Sequence, residues 1–209
     1  MTNGHVTWLV SPLGYQSITK RCPSCEVKKL FFPAGTFRVN AQKKTLDVWN
    51  IYKCEKCDYT WNIDIFSRVK TGKLDPELHQ RFIHNDLEEV RRYAYDYPLL
   101  KRNQAELGPL PDYEIKGPSP YAFNDSRILH ITIEFEQAIA VRFISLLTRK
   151  LCLNRRQVVQ LIEQRALLDV TVLEINRKLK GRRSLRLDLQ RLHALDIPLT
   201  TSSAPAVTI

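Results

Sequence analysis

Two cysteine pairs, Cys22-Pro23-Ser24-Cys25 and Cys54-Glu55-Lys56-Cys57, stand with 28 residues between them. Four thiolates surround one Zn²⁺ tetrahedrally, and a two-residue gap lets one tight turn aim both sulfurs of a pair at the same ion. Backbone N–H groups in such turns can also donate to the thiolates. All four positions are cysteine, with no position suited to a metal-bound water, so a structural metal is expected rather than a catalytic one. The competing readings are two disulfides or a redox dithiol. Disulfides are disfavoured in a chain without a secretion signal, and a redox Cys-x-x-Cys is expected to open a helix, whereas these pairs read as hairpin tips. Cys152 lies in an apolar helical stretch and reads as a core thiol before a nucleophile.

A second set of residues suits phosphate. "LCLNRRQVVQLIEQRALL", 151–168, reads as a helix capped by Asn154 with Arg155 and Arg156 in its first turn. The helix dipole is positive there, so each exposed cation is unfavourable by roughly 0.3–1 kcal/mol. Free N–H groups at a helix start attract an anion, and arginines beside them complete a phosphate cradle. A cost in the free protein then becomes a gain in a complex. Arg142, Arg149 and Lys150 precede this turn, and Lys178, Lys180, Arg182 and Arg183 follow the helix. Together with Arg155 and Arg156 they are the candidate phosphate contacts.

Charge supports a polyanion partner. The net charge is +10, with 11 Lys and Arg against 5 Asp and Glu in residues 1–70, 8 against 12 in 71–140, and 13 against 4 in 141–193. Two basic blocks flanking an acidic one are the footprint of a polyanion binder, or simply solvated faces. No Gly-rich phosphate loop, dinucleotide fingerprint, nucleophile elbow or zinc-protease helix occurs, which removes the common enzyme classes and leaves a non-enzymatic protein as the expectation. His79 and "HND", His84-Asn85-Asp86, are the only trace of a nuclease, and Asn85 or Asp86 reads better as a helix cap. Trp49, Tyr52, Tyr59 and Trp61 alternate with lysines and read as hairpin packing before base-stacking platforms. The apolar run "VTWLV" is too short for a signal-peptide core, and no stretch reaches membrane-spanning length, so a cytoplasmic protein with no membrane partner is expected.

The elements that must position these residues read as α+β. "TFRVNAQKKTLDVWNIYKC" is a hairpin with a polar turn at Asn40–Lys44, and "YTWNIDIF" continues as another strand, which makes residues 1–70 a zinc ribbon. Asp75 as N-cap with Pro76 at the first helical position opens one or two helices. These and the Gly/Pro-rich "GPLPDYEIKGPSPYAFND", 108–125, form a middle segment, 71–125, ending at a domain boundary. "RILHITIEF" is a strand, and "AIAVRFISLLTRKLCL" an amphipathic helix through Ile139, Phe143, Leu146, Leu147 and Leu151. Val158, Leu161 and Ile162 form the buried stripe of the arginine-headed helix, and "VTVLEINRKLKGRRSLRLDL" reads as two strands joined by a basic turn at Gly181. This domain spans 126–193, and the tail, 194–209, ends in "TTSSAPAVTI", disordered by composition.

Residues 126–193 resemble the RNA-binding domain of ribosomal small-subunit protein four, on Arg142, Phe143, Leu146 and Leu147 in the first helix and Asn154, Arg155, Leu161 and Ile162 in the second. Arg165 stands where that family carries glycine. The resemblance implies helix-turn-helix plus β-hairpin, with Arg142, Arg155, Arg156 and neighbouring Lys and Arg on phosphates of structured RNA. Nearly the full chain, with its CPSC/CEKC pairs, "VWNIYKCEKCDYTWN", the "HND" helices and the arginine-rich end, resembles the uncharacterised bacterial family called domain of unknown function 1062. That kinship implies no activity. The expectation is therefore a Zn²⁺-containing binder of structured RNA, of ribosomal or transfer RNA class. A protein-interaction adaptor is the alternative, and a nucleic-acid-processing enzyme stands third.

Overall fold

A computed structural model describes residues 4–123 and 127–194. The chain divides into an inserted unit, Pro12–Asp112, and a terminal unit made of Met1–Ser11 with Tyr113–Ile209. After β1 (Gly4–Pro12), the inserted unit runs β2 (Ile18–Arg21), β3 (Lys28–Gln42), β4 (Thr45–Cys54), β5 (Thr60–Lys70), α1 (Pro76–Ile83), α2 (Leu87–Ala94), α3 (Tyr97–Arg102) and β6 (Glu106–Leu107). The terminal unit continues with β7 (Tyr113–Lys116), β8 (Ile128–Phe135), β9 (Val141–Arg142), α4 (Phe143–Leu151), α5 (Arg155–Glu163), β10 (Leu167–Leu168), β11 (Lys178–Leu179), β12 (Arg183–Asp188) and α6 (Leu189–Ala194). The class is mixed α+β, as expected. No helix among the described residues is long and apolar enough to cross a membrane.

In the inserted unit one antiparallel sheet has the order β5-β4-β3-β2-β6. The β3–β4 hairpin turns at Lys43-Lys44, with Lys43 in the left-handed region at φ 54°. Alternation along β4 buries Leu46, Val48, Asn50, Tyr52 and Cys54 and leaves Asp47, Trp49, Ile51 and Lys53 on the other side. Helices close the buried face. Asp75 and Asp86 cap α1 and α2 by accepting from Glu77, and from Glu88 and Glu89, respectively. Phe82, Val90, Tyr93, Leu99 and Leu100 then join Phe31, Phe37, Val48 and Ile63 in one core, with Phe37 edge-on to Phe82 at 4.9 Å. Glu89 is buried there and held by Arg81 and Arg92 at 3.0 and 3.1 Å. The expected division at residue 70 is thus not where the chain divides. A sheet with one apolar face needs cover, and residues 76–102 supply it.

The terminal unit has a sheet ordered β10-β12-β8-β1-β7. β1 runs parallel to β8, from Gly4 opposite Leu129 to Val10 opposite Phe135. Val6, Trp8 and Val10 are therefore core residues of this unit rather than of the ribbon. The Gly/Pro stretch also reads differently: the units divide between Asp112 and Tyr113, after which the chain forms β7 and a short 3₁₀ turn, Pro120–Ala122. Gly117 lies between them at φ +116°, and a Cβ there would collide with the Thr7 carbonyl oxygen. Gly117→Ala is expected to destabilise this unit by at least about 2 kcal/mol. An unchanged melting temperature would contradict that.

Two C-terminal expectations need correction. The helix drawn from Ala138 begins only at Phe143, because Val141–Arg142 pair with Lys178–Leu179 as a two-stranded ribbon. The predicted hairpin around Gly181 does not form: β11 joins that ribbon, whereas β12 joins the main sheet beside β8. The β-branched run Val170–Val172 favours a strand locally, but none forms there. Thr171 and Glu174 instead close a local turn: the Glu174 carboxylate accepts from the Thr171 N–H at 2.9 Å, and the Thr171 hydroxyl accepts from the Glu174 N–H at 3.3 Å. Of the expected tail, residues 195–209 lie outside the described residues.

Candidate metal centre

The β2–β3 and β4–β5 connections are built alike. The Cys22 N–H donates to the Val27 carbonyl at 2.9 Å, and Cys54 N–H to Tyr59 at 2.9 Å. The fourth residue after each first cysteine closes the turn, Glu26 N–H to Cys22 O at 2.8 Å and Asp58 N–H to Cys54 O at 3.2 Å. Glu26 and Asp58 both adopt left-handed backbone, φ 59° and 57°. Glycine usually serves such positions, so their sequence carries no signal of the turn. Glu55 N–H also donates to Leu30 O at 3.0 Å, tying the second turn to the strand that leaves the first.

These turns bring the Sγ atoms of Cys22, Cys25, Cys54 and Cys57 within 4.8 Å of one another, Cys22 and Cys57 at 3.5 Å. Cys22 and Cys54 are buried in the unit's core, and Cys57 is exposed. A backbone N–H of Tyr59 pulls the Cys57 thiol down to about 6, while the Cys57 side chain, then burial, push Cys25 up to about 12. Four sulfurs so close cannot all ionise unless a cation sits among them. The donor set therefore fits a metal ion held by four thiolates, and the thiols are unbridged.

"HND" is a helix junction. His84 caps α1 through its own N–H, with Nδ1 2.8 Å from the Gln80 carbonyl. Asn85 is left-handed at φ 54° and its side-chain oxygen accepts from Phe37 N–H at 2.7 Å, while Asp86 caps α2. Among the described residues neither His84 nor Asp86 belongs to a cluster fit to hold a metal.

The basic candidates separate into two groups. Arg149 donates to Tyr113 O at 3.1 Å and lies over the Tyr113 ring, and Lys150 donates to Ile115 O and Gly117 O at 3.3 and 2.6 Å. Both hold carbonyls of the edge strand β7, and Lys150 also that of Gly117 just beyond it, a structural duty. Burial lowers the Lys150 ammonium from its ordinary range. Arg183 is held by the Asp169 carbonyl and Glu174 carboxylate, and Arg182 pairs with Glu134 at 3.5 Å. In the other group, Arg142 stands directly opposite Lys178 in the β9–β11 ribbon. Asn154 caps α5 in a full capping box with Gln157, and Arg155 beside it donates to Asn176 Oδ1 at 2.6 Å. Arg142, Arg155, Arg156, Lys178 and Lys180 make no ion pair among the described residues. Asn176 was not legible as a site residue, since its link to Arg155 spans 21 positions.

A family model described as Protein of unknown function (DUF1062) matches residues 39–172, more than half of the chain. No curated protein and no solved structure matches it.

Proposed function

We propose the following for this chain, which belongs to the family described as Protein of unknown function (DUF1062): it is a zinc-ribbon protein whose terminal unit binds structured RNA. The zinc reading rests on the donor set and its spacing. A Zn–S bond of about 2.3 Å sets a tetrahedral sulfur–sulfur edge of about 3.8 Å. The Sγ separations, 3.5 Å for Cys22–Cys57 and none above 4.8 Å, bracket that edge. Zn²⁺ held by Cys22, Cys25, Cys54 and Cys57 staples two hairpins and leaves no open ligand position, so its role is structural.

The RNA reading is carried by one observation: Arg142 and Lys178 are cross-strand partners, with Arg155 tethered to Asn176 close by. Like charges directly opposite each other destabilise a ribbon. Phosphate removes the repulsion, and the free N–H groups at the start of α5 add to its binding. Arg142, Arg155, Arg156, Lys178 and Lys180 are the contacts of this reading, since Arg149, Lys150 and Arg183 serve their own chain. Arg165 adopts φ 54° where the ribosomal-protein domain uses glycine, a common way to end a helix, whereas the β-hairpin which that likeness implies does not form. About five phosphate contacts imply a loss of about 10²–10³-fold in affinity for transfer RNA between 50 and 200 mM salt. Arg155→Ala with Arg156→Ala should flatten that salt dependence and leave melting within about 3 °C. Salt-insensitive capture of a protein instead would favour the adaptor reading.

A further inference from the structure

We propose that the core of the inserted unit binds an ordered water between β4 and α2, held by the side chains of Asn50 and Tyr52. Alternate residues of a strand share a face, and these two lie on the buried face of β4, each 0% exposed. Tyr52 belongs to the cluster of Phe31, Phe37, Ile63 and Val90. The Asn50 amide Nδ2 donates to the Val90 carbonyl of α2 at 3.4 Å, which fixes the orientation of the amide. Its Oδ1 and the Tyr52 hydroxyl then have no hydrogen-bond partner among the described residues. A polar atom buried without a partner bears its full desolvation cost. Two of them at neighbouring positions of one strand face point to a shared polar occupant.

Their chemistry selects that occupant. An amide oxygen only accepts. Burial, and then the neighbouring Tyr95 phenol, push the Tyr52 phenol above its ordinary range, so it keeps its proton and can donate. The occupant must therefore donate to one group and accept from the other, which a single water does. A cation or anion is disfavoured, because a buried charge needs an opposite one. The buried carboxylate of this unit, Glu89, is already held by Arg81 and Arg92. The strand ladder is also interrupted at this level: Pro33 pairs with Tyr52 and Phe37 with Asn50, so Ala34–Thr36 stand opposite Ile51 alone. Such a bulge leaves backbone polar groups outside the ladder, and a buried water commonly engages about three partners.

This site belongs to the fold of the inserted unit and does not rest on the RNA reading. The test uses the full, metal-loaded chain. Water-to-protein cross-relaxation by NMR should show a long-lived water at the Asn50 side-chain amide and the Tyr52 ring protons, lost in Tyr52→Phe. That variant keeps the ring, and it should lower the melting temperature of the inserted unit by about 4–8 °C, with metal content unchanged. A hydroxyl that truly lacked a partner would give the opposite sign, since its removal relieves a cost. Asn50→Leu should abolish the water signal at Tyr52, and adding Tyr52→Phe to it should then cost no further melting temperature. Absence of the long-lived water in the wild type overturns the proposal, as does Tyr52→Phe melting at or above the wild type. So does a Tyr52→Phe loss that persists in full beside Asn50→Leu, which would assign the hydroxyl another partner.

Discussion

Cys54→Ser is expected to release the metal and to lower the melting temperature of the inserted unit by at least about 12 °C. Cys54 is 1% exposed and belongs, with Cys22, to the core that also holds Phe31, Tyr52 and Ile63. It lies at the end of β4, where its backbone anchors the second turn. Removing one of four thiolates forfeits a large part of a binding free energy of order 10–16 kcal/mol, which for a structural zinc is also folding free energy. Even about 3 kcal/mol of net loss moves the midpoint of a domain of this size by the amount stated. Metal analysis should fall from one ion per chain to near none, and amide exchange should accelerate first at Cys22–Val27 and Cys54–Tyr59. Trp8 lies in the other unit and should keep its buried fluorescence. A serine variant that retains stoichiometric metal, or melts with the wild type, would show that the thiolates do not staple these hairpins.

On the proposed RNA-binding reading, Lys178→Glu is expected to weaken that binding by about 10–100-fold while leaving the free protein equally or more stable. In the ribbon Lys178 faces Arg142, so the substitution replaces a repulsive cross-strand pair with an attractive one, a change of roughly 0.2–1 kcal/mol in favour of folding. In a complex it puts a carboxylate against phosphate and removes one released counterion, so the salt dependence should lose about one unit of slope. Stability and affinity therefore move in opposite directions, a signature that general unfolding cannot produce. Lower stability with unchanged RNA affinity would mean that Lys178 serves the ribbon alone.

Local chemistry was legible wherever it is written in neighbouring residues. The two Cys-x-x-Cys pairs, the β3–β4 hairpin, the Asp75-Pro76 start of α1, the cap at Asp86 and the Asn154 cap of α5 are all fixed by contacts a few positions apart. Such signals persist through any tertiary arrangement. Pairing across long stretches was not legible. "VTWLV" reads only as a short apolar run, and nothing in it tells that Val6 lies opposite Ile131 in a parallel pair. The two C-terminal strands lie close in sequence and read as one hairpin, yet Leu179 pairs with Val141 and Leu185 with Ile131. Arg149 and Lys150 looked like free cations because their acceptors, the carbonyls of Tyr113, Ile115 and Gly117, are more than 30 positions away.

By itself, then, the sequence determined four thiols that one ion can gather, the mixed class, and helix starts with their caps, since each depends on residue type and short spacing. Only the tertiary structure decided that the first strand joins the terminal unit's sheet, that the middle helices roof the sheet of the inserted unit, and which cations are engaged and which are unpaired. Those outcomes depend on which apolar faces can be buried together, a choice made between segments distant in the chain and therefore absent from any local pattern.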